Sequence, residues 1–398
     1  MIDRDFLTDA LVRLAKSPTD VPVGQTELAP DDPKIATYVR RVLGPALADV
    51  GAPLTTVDDW NNGVGYFGQQ NGAPALLLML YTTSQHGNFT DETLEGRLGD
   101  GSAFGINEPC VFGKGTNQGK GPAAAVLAAL KTLRDTGTHL KRRLVIAVNT
   151  EGRSSHSCSA RLIDEHGVRA DQGIVCIGTG NEIVLGNRGR VDIRVTVGGR
   201  SAHSSHPELG VNAIQGANDV LNRLAGLTFP KRHPNLGPEQ MTVYKLVCTP
   251  IAPHTLPDRC ELTLDRRLLP GTAIDAAIDE IRAAVDSSGP WRVTVEPGAS
   301  MLPAEVAADA PVVRALDRAT REVTDHPAAT VYAGYTFDAG YACAKGIPTV
   351  MFGPAMRGRT RGLANDVTAT EFVPLSVVHE SAEIYLRTIR TLCGVTDA

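Results

Sequence analysis

The sequence is poor in aromatic residues and cysteine, and it has no long hydrophobic run. Among 398 residues, Phe, Trp and Tyr make up 5%, and the seven cysteines include no Cys-x-x-Cys pair. No apolar run reaches the roughly 20 residues of a membrane span. The N-terminus has early acidic residues and no apolar signal-peptide core. These absences predict a cytoplasmic protein with reduced, mostly buried thiols and no membrane partner.

The sequence also lacks a large excess of charge of either sign. The formal net charge is −5 and charged residues make up 21% of the chain, so nothing predicts binding to nucleic acid or to an acidic membrane surface. Hydrophobic residues make up 42%, which is ordinary for a globular protein with a substantial core. The length predicts two or three domains.

Buried strands alternate with helices in the first half of the chain. Continuous apolar runs at 75–80, 144–148 and 174–177 are typical of strands buried on both faces. Helical periodicity separates them, and one helix starts at Pro122, a residue suited to a first helical turn. This order predicts an α/β fold with a mostly parallel sheet covered by helices.

A different pattern occupies the middle of the chain. Residues 191–197 alternate apolar and polar side chains as a half-buried strand does, and Gly198-Gly199 ends the strand. A polar loop follows, and helical periodicity begins at Asn212 with Ile214, Ala217, Leu221 and Leu224 on one face. Alternating strands at 241–247 and 260–267 and a helix at 274–285 complete a predicted α+β unit.

The run GGRSAHSSHPELGVNAI at 198–214 resembles the lid, or dimerisation, domain of the di-zinc exopeptidase family. That family includes glutamate carboxypeptidases, aminoacylases, acetylornithine deacetylases and succinyl-diaminopimelate desuccinylases. LDRRLLPG at 264–271, the loop at 334–339 and the strand at 347–354 extend the resemblance over almost the whole chain. It implies a zinc-exopeptidase-like α/β domain (1–189 and 301–398), interrupted by an α+β lid (190–300) through which a homodimer forms.

The resemblance also implies roles for individual residues. His203 stands where the family's histidine reaches the active site across the dimer and stabilises an oxyanion, and Asn212 stands where an asparagine helps to bind substrate. Arg267 matches an arginine that often contacts a substrate carboxylate, although a surface salt bridge is an equal alternative. Asp338 lies in a loop that resembles the family's Gly-Thr-Ser-Asp segment.

The metal-ligand positions depart from the family pattern. Tyr81-Thr82-Thr83 replaces His-x-Asp, Gln118 replaces the bridging Asp, and Glu151-Gly152-Arg153 replaces Asp-Glu-Glu. Ile177 occupies a further carboxylate position. No histidine lies between His326 and His379, where the last ligand belongs, and Asp366 is the nearest substitute. Zinc needs deprotonated O, N or S ligands, so we expect no di-zinc centre, no metal ligand set and no cofactor.

The replacement residues are polar, which indicates a site adapted to another function rather than one packed with apolar side chains. Arg153 would repel two zinc ions, but its guanidinium can bind a carboxylate or stabilise an oxyanion. Glu151 is a candidate base, and Tyr81 and Gln118 are candidate substrate contacts. His86 could be a displaced ligand, although a solvent-facing loop histidine is the simpler interpretation.

A Ser or Cys nucleophile paired with His156 is also conceivable among residues 154–158. Residues two apart on a helix face different directions, so His156 and Cys158 make a poor local pair. Helix capping by Ser154 or Ser155 is the simpler interpretation.

Three functional hypotheses remain open from the sequence. The first is an amidohydrolase or acyl-transfer enzyme that acts without the di-zinc pair on a small amino-acid-like substrate. The second is a non-catalytic member that binds such a ligand or partners an active homologue. The third is a zinc hydrolase with displaced ligands. Metal analysis separates the third from the others, and turnover separates the first from the second.

Overall fold

The computed structural model of the protein describes residues 1–21, 28–68, 74–84, 95–150, 155–286, 289–357 and 371–396. The chain divides into two compact units. The large unit comprises Met1–Asn187, Ala304–Ala333 and Phe337–Ala398, and the lid unit comprises Arg188–Pro303 and Gly334–Thr336.

The strands of the described residues are numbered in chain order. They are β1 Leu54–Val57, β2 Gly63–Phe67, β3 Leu76–Tyr81, β4 Glu95–Asp100, β5 Pro109–Gly113, β6 Leu144–Asn149, β7 Gln172–Cys176, β8 Ile183–Asn187, β9 Gly189–Gly198, β10 Arg232–His233, β11 Gly237–Pro238, β12 Gln240–Thr249, β13 Arg259–Leu268, β14 Arg292–Met301, β15 Ala304–Glu305, β16 Thr330–Ala333, β17 Thr349–Phe352 and β18 Phe372–Pro374.

The α-helices are numbered in the same way. They are α1 Arg4–Ala15, α2 Pro33–Thr37, α3 Gly44–Asp49, α4 Gly121–Asp135, α5 Ser157–Ala160, α6 Ala213–Ala225, α7 Ile274–Val285, α8 Pro311–Thr324, α9 Ala339–Ala344 and α10 Leu375–Cys393. Wider π-helical turns occur at Tyr38–Leu43, Thr116–Lys120 and Arg161–Glu165, and 3₁₀ turns occur at Ser102–Phe104 and Pro207–Leu209. None of these helices is both long and apolar enough to cross a membrane.

A nine-stranded mixed sheet forms the centre of the large unit. Its order is β1-β2-β6-β3-β7-β17-β8-β15, with β16 also paired to β8. The four middle strands β6, β3, β7 and β17 run parallel, which confirms the α/β prediction. The outer strands β1, β2 and β15 pair antiparallel, and the sequence analysis did not identify them.

Strand β3 shows why the continuous apolar runs form buried central strands. Leu76, Leu78 and Leu80 pack into the larger hydrophobic core, which also contains residues of α1, α4, α8 and α10. Leu77, Met79 and Tyr81 pack into a second core on the opposite face. Successive side chains of a strand point to opposite faces, so a strand with helices on both sides must be apolar throughout.

The lid unit contains a four-stranded antiparallel sheet in the order β12-β13-β9-β14. Helices α6 and α7 share one hydrophobic core with this sheet. The predicted face of α6 is partly wrong, since Ile214 is 51% exposed. Gly216 explains the difference, because a Cβ there would lie 2.6 Å from the Val197 side chain. The glycine lets the helix approach the sheet closely, and this sets which face is buried.

One pair of cysteines departs from the prediction of reduced thiols. Cys248 and Cys260 form a disulfide. They are directly opposite partners on the antiparallel strands β12 and β13. Sequence spacing could not identify the pair, because only the register of two strands brings these side chains together. The other cysteines, Cys110, Cys158, Cys176, Cys343 and Cys393, are free thiols.

Candidate active site

Asp338 is the centre of a buried polar cluster in the large unit, and the residue is only 1% exposed. Its Oδ1 accepts a hydrogen bond from the Ser159 hydroxyl at 2.6 Å and lies 2.8 Å from Nδ1 of His156. Its Oδ2 accepts a hydrogen bond from the Tyr81 hydroxyl. Both carboxylate oxygens are therefore engaged by side chains from distant parts of the sequence.

The carboxyl ends of neighbouring parallel strands bring this cluster together. Tyr81 is the last residue of β3, and Asn149, the last residue of β6, donates to the Ser159 hydroxyl at 3.0 Å. His156 directly precedes α5, and Asp338 directly precedes α9. In open α/β sheets, ligands bind outside the carboxyl ends of the strands, so the cluster lies where this fold places active sites.

Tyr81 is a permanent hydrogen-bond donor to Asp338. Burial, with a further contribution from the negative charge of Asp338, raises the pKa of Tyr81 well above its usual value. The Phe337 ring packs edge-on against the phenol ring, with 4.9 Å between ring centroids. The phenol therefore stays protonated and donates its hydrogen bond to Oδ2 of Asp338.

Gln118 lies beside the same strand end and is 5% exposed. Its backbone carbonyl accepts a hydrogen bond from the Gly178 N–H at 2.8 Å. A Cβ on the next residue, Gly119, would lie 2.5 Å from the Tyr81 carbonyl oxygen, so only glycine permits this approach. The structure therefore brings Tyr81 and Asp338 into contact, and it places the turn that carries Gln118 against the end of the same strand.

Lys120 follows in the same turn and is also buried. Its ammonium donates to the Ser17 carbonyl at 2.7 Å. Burial lowers the pKa of Lys120 to about 8, although Glu371 and Asp20 oppose the shift. This lysine ties the turn that carries Gln118 to the N-terminal segment of the large unit.

Two other predicted residues, His203 and Asn212, lie in the lid unit. His203 is exposed, and its Nδ1 lies 3.2 Å from the Ser205 backbone N–H, which donates to it. In a neutral ring this contact leaves the proton on Nε2, which can donate to a ligand. Asn212 is the N-cap of α6, and its carboxamide oxygen accepts from the Ile214 N–H at 3.0 Å.

Arg267 of the lid unit forms an ion pair with Asp265, with 2.7 Å between Nη2 and Oδ2. Both side chains are about a quarter exposed, at 27% and 24%. They are two positions apart on β13 and so lie on the same face of the sheet. This contact is the salt bridge of the alternative interpretation, and a substrate carboxylate at Arg267 would have to compete with Asp265.

Several candidates lie outside the described residues. They are Glu151 and Arg153, whose segment 151–154 joins β6 to Ser155, together with His86 and Asp366. Their roles stay predictions.

The described residues do not make a di-zinc centre. Across the described ranges, no group of three or more His, Cys, Asp and Glu side chains is placed to hold a metal ion. Around Asp338 stand one imidazole, a phenol and a hydroxyl. Zinc sites in proteins need three or four carboxylate, imidazole or thiolate ligands, so this donor set does not fit a zinc pair.

Sequence reasoning missed Ser159 and considered His156 only as the partner of a neighbouring Ser or Cys nucleophile. Helix capping by Ser154 or Ser155 was the simpler interpretation of this segment. The N-cap of α5 is instead His156, which makes no side-chain capping bond, and Ser155 accepts a hydrogen bond from the Ser157 N–H at 3.1 Å. The missed signal was position, because the segment follows the buried strand β6 and must leave the sheet at its carboxyl edge. The partner Asp338 lies 182 positions away from His156.

Comparisons with known proteins agree with this architecture. Residues 185–293 match the peptidase dimerisation domain of the M20 family. The chain is 28% identical over 241 residues to the uncharacterized protein YgeY of Escherichia coli, covering 59% of this chain and 57% of that protein. It is 28% identical over 211 residues to an acetylornithine deacetylase of Aliivibrio salmonicida, covering 51% of this chain and 55% of the deacetylase.

The fold comparison covers nearly the whole chain. The structure of an M20 family metallo-carboxypeptidase from Sulfolobus solfataricus superposes with a TM-score of 0.72 at 14% identity, covering 97% of this chain and 99% of the other. The sequence matches, by contrast, span little more than half the length of YgeY and of the deacetylase. The dimerisation-domain match, the named relatives and the shared fold together support the resemblance of this chain to the M20 peptidase family.

Proposed function

We propose that this protein is a hydrolase that cleaves the amide or acyl bond of a small amino-acid-like substrate without a di-zinc centre. The observation that carries the proposal is the buried Asp338 cluster at the carboxyl edge of the sheet, with His156 held by the carboxylate. The substrate class follows from a relative named for removing an acetyl group from ornithine. Turnover and metal content test the two halves of the proposal separately.

His156 is the proposed general base. When Nδ1 donates to Asp338 Oδ1, the neutral imidazole has its lone pair on Nε2. That atom takes a proton from water as the water attacks the substrate carbonyl, and it later returns the proton to the leaving amine. Asp338 orients the ring and stabilises the imidazolium, which is the part a buried carboxylate plays beside a catalytic histidine.

Tyr81 and Ser159 are proposed to hold Asp338 in the position from which it orients His156. Each donates to one carboxylate oxygen, so both oxygens are held in place. A carboxylate held by three side chains at 1% exposure is badly placed to act as a base or nucleophile itself. The proposal therefore assigns proton transfer to the histidine and orientation to the aspartate.

The developing oxyanion requires positively charged or N–H donors. We assign this part to Arg153 and to the partner subunit's His203, because the sequence resemblance implies an active-site role for both. The tautomer of His203 suits this part, since Nδ1 accepts from Ser205 and Nε2 carries the proton. Glu151 is the alternative base. Each oxyanion donor is expected to supply about 3 kcal/mol of transition-state stabilisation.

Gln118, Asn212 and Arg267 are the proposed substrate contacts. Arg267 is the candidate for a substrate carboxylate, because a guanidinium binds carboxylates in a bidentate manner. Its partner Asp265 would be displaced on binding. Arg267→Lys should therefore raise KM more than it lowers kcat, since the lost contact is made equally in the ground state and the transition state.

The proposed role of the partner's His203 requires a homodimer. In the lid unit, β12 is an edge strand whose Tyr244, Leu246 and Val247 are 58%, 46% and 40% exposed. An exposed apolar edge strand is a template for pairing with another chain. Light scattering should give about twice the chain mass of 42.2 kDa. A monomer at working concentration would remove the assigned role of the partner's His203.

The test of function uses N-acyl amino acids and dipeptides as substrates and elemental analysis for metal. We expect turnover that a chelator does not reduce, with well under one zinc per chain. Two tightly held zinc ions that turnover requires would contradict the proposed mechanism and favour displaced ligands. Binding of these compounds without turnover would favour the non-catalytic hypothesis.

A further inference from the structure

The strongest feature outside the proposed active site is the disulfide of the lid unit. We propose that Cys248 and Cys260 are a site of reversible thiol–disulfide exchange that fixes the loop carrying His203. The effect on catalysis rests on the proposed function of that histidine. The exchange and its effect on the loop do not depend on catalysis, so they can be tested without turnover.

The disulfide closes the neck of a hairpin. Cys248 lies near the end of β12, Cys260 lies near the start of β13, and the two face each other in register. Residues 250–258 form the loop between the strands. Breaking the bond would remove the covalent link between the two ends of this loop, and one of those ends is an edge strand, which frays more readily than a central strand.

The hairpin loop holds the His203 loop by backbone hydrogen bonds at four points. In each pair the N–H donor is given first, and the bonds are Gly199–Asp258 at 2.6 Å, Leu256–Ala202 at 2.8 Å, Ser204–His254 at 2.8 Å and Ala213–Pro257 at 3.0 Å.

A side-chain contact adds to these bonds. The Ser201 hydroxyl donates to the Leu256 carbonyl at 2.9 Å, and the His203 and His254 rings lie 6.1 Å apart between centroids. The position of His203 therefore depends on a hairpin loop whose own ends are joined by the disulfide. This makes Cys248 and Cys260 positioning residues for His203.

The two sulfur atoms differ in access. Cys248 is half-buried on the edge strand, whereas Cys260 is fully buried in the lid core. An incoming thiolate would therefore attack the Cys248 sulfur. Burial raises the pKa of the Cys110 thiol to about 11 and those of Cys176 and Cys393 to about 12, so these thiols are poor competitors in exchange.

The exchange balances with a small-molecule thiol and its disulfide as co-reactants. A thiolate attacks Cys248, the bond between the two protein sulfurs breaks, and Cys260 leaves as a thiolate that takes a proton. A second thiolate then attacks the small-molecule sulfur of the mixed disulfide and releases Cys248. Two electrons pass from two small-molecule thiols to the protein disulfide. In the reverse reaction, a small-molecule disulfide accepts two electrons from the protein dithiol.

Hydrogen exchange followed by mass spectrometry tests the proposal on the full-length protein. Dithiothreitol and oxidised glutathione set the two redox states, and alkylation of the two cysteines confirms each state. We expect amide exchange over residues 199–213 to be at least about tenfold faster in the reduced protein. The peptide covering α7, which the hairpin loop does not hold, should exchange equally in both states.

Two variants make the result specific. Cys248→Ala with Cys260→Ala should show fast loop exchange in both buffers, because the joining bond is gone. Cys343→Ala, which removes a half-buried thiol in the large unit, should keep the redox dependence of the wild type. Equal exchange over 199–213 in the oxidised and reduced wild type would overturn the proposal, as would failure of oxidised glutathione to re-form the bond. Absence of turnover would count against the proposed function alone.

Discussion

Two histidine–aspartate pairs in the large unit have similar geometry and different surroundings. His156 Nδ1 lies 2.8 Å from Asp338, and His166 Nε2 lies 3.1 Å from Asp58. The first pair is nearly buried, with 8% and 1% of the side chains exposed, whereas the second is 21% and 7% exposed. A close histidine–carboxylate contact is therefore not sufficient evidence of a catalytic site.

The remaining partners of each aspartate distinguish the pairs. Asp338 accepts from the uncharged hydroxyls of Tyr81 and Ser159. Asp58 lies 3.4 Å from the Arg161 guanidinium and accepts from the backbone and side chain of Asn62. The arginine already balances the charge of Asp58, so His166 is one donor among several in a surface network. Two observations favour His156 for proton transfer. It lies at the carboxyl edge of the sheet, and among the described residues Asp338 has no lysine or arginine partner.

The sharpest way to break the comparison is to remove each histidine in turn. His156→Gln should lower kcat by about 10²–10⁴-fold, because a positioned general base contributes that much. His166→Gln is the matched control and should leave kcat within about twofold. Steady-state kinetics on the substrate that the wild type turns over measures both. Equal losses in the two variants would mean that His156 has only a structural part.

Asp338→Asn should have the next largest effect. The amide would keep the shape of the carboxylate but could donate to Nδ1, which moves the imidazole proton to Nε2 and removes the base. We expect kcat to fall by about 10²-fold with little change in KM. Circular dichroism should first verify that the variant is folded. Asp58→Asn is the control, and unchanged kinetics in Asp338→Asn would contradict the assigned orientation.

These residues also show what could be derived from sequence. The central strands were predictable because burial on both faces demands continuous apolar runs. Tyr81 was proposed from a strand end and Gln118 from a glycine-rich loop, both through the resemblance, and their roles stay predictions. The bond between His156 and Asp338 joins residues 182 positions apart, and no periodicity reports such a contact. Predicting the disulfide would have required the register of β12 and β13. The prediction was strong for local patterns and weak for pairs that only the assembled sheets create.

Tyr81→Phe tests the hydrogen bond that separates the first pair from the second. Removing a donor from a buried carboxylate should lower the free energy of unfolding by about 1.5–3 kcal/mol near neutral pH. The folded protein keeps this phenol protonated because burial raises its pKa, whereas the unfolded chain releases the proton above about pH 10. The stabilisation is therefore fully present below pH 10 and is lost as the pH rises further.

Urea unfolding at several pH values from neutral to above 10 measures this effect. In the wild type, Tyr81 should contribute a loss of about 1.4 kcal/mol per pH unit above pH 10. Tyr81→Phe should lack this contribution and so lose stability less steeply. His166→Gln should keep the wild-type slope. Parallel slopes in the wild type and Tyr81→Phe would show that the phenol is not held protonated by the fold.

The smallest expected effect concerns the stability that the second pair provides. His166 is partly exposed, and Asp58 keeps Arg161 and Asn62 as partners when the histidine is removed. A partly exposed histidine–carboxylate contact whose carboxylate keeps other partners is worth about 0–1 kcal/mol, and any charge interaction in it is screened by salt, so His166→Gln should lower the free energy of unfolding by less than about 1 kcal/mol. The difference should shrink further between about 0.1 M and about 1 M salt.

His156→Gln leaves the buried Asp338 oxygen short of a donor, which costs about 1–3 kcal/mol that salt does not screen. Urea unfolding of both variants at the two salt concentrations separates a buried pair from a surface one, and an equal, salt-sensitive loss in both would erase the distinction on which the assignment of His156 depends.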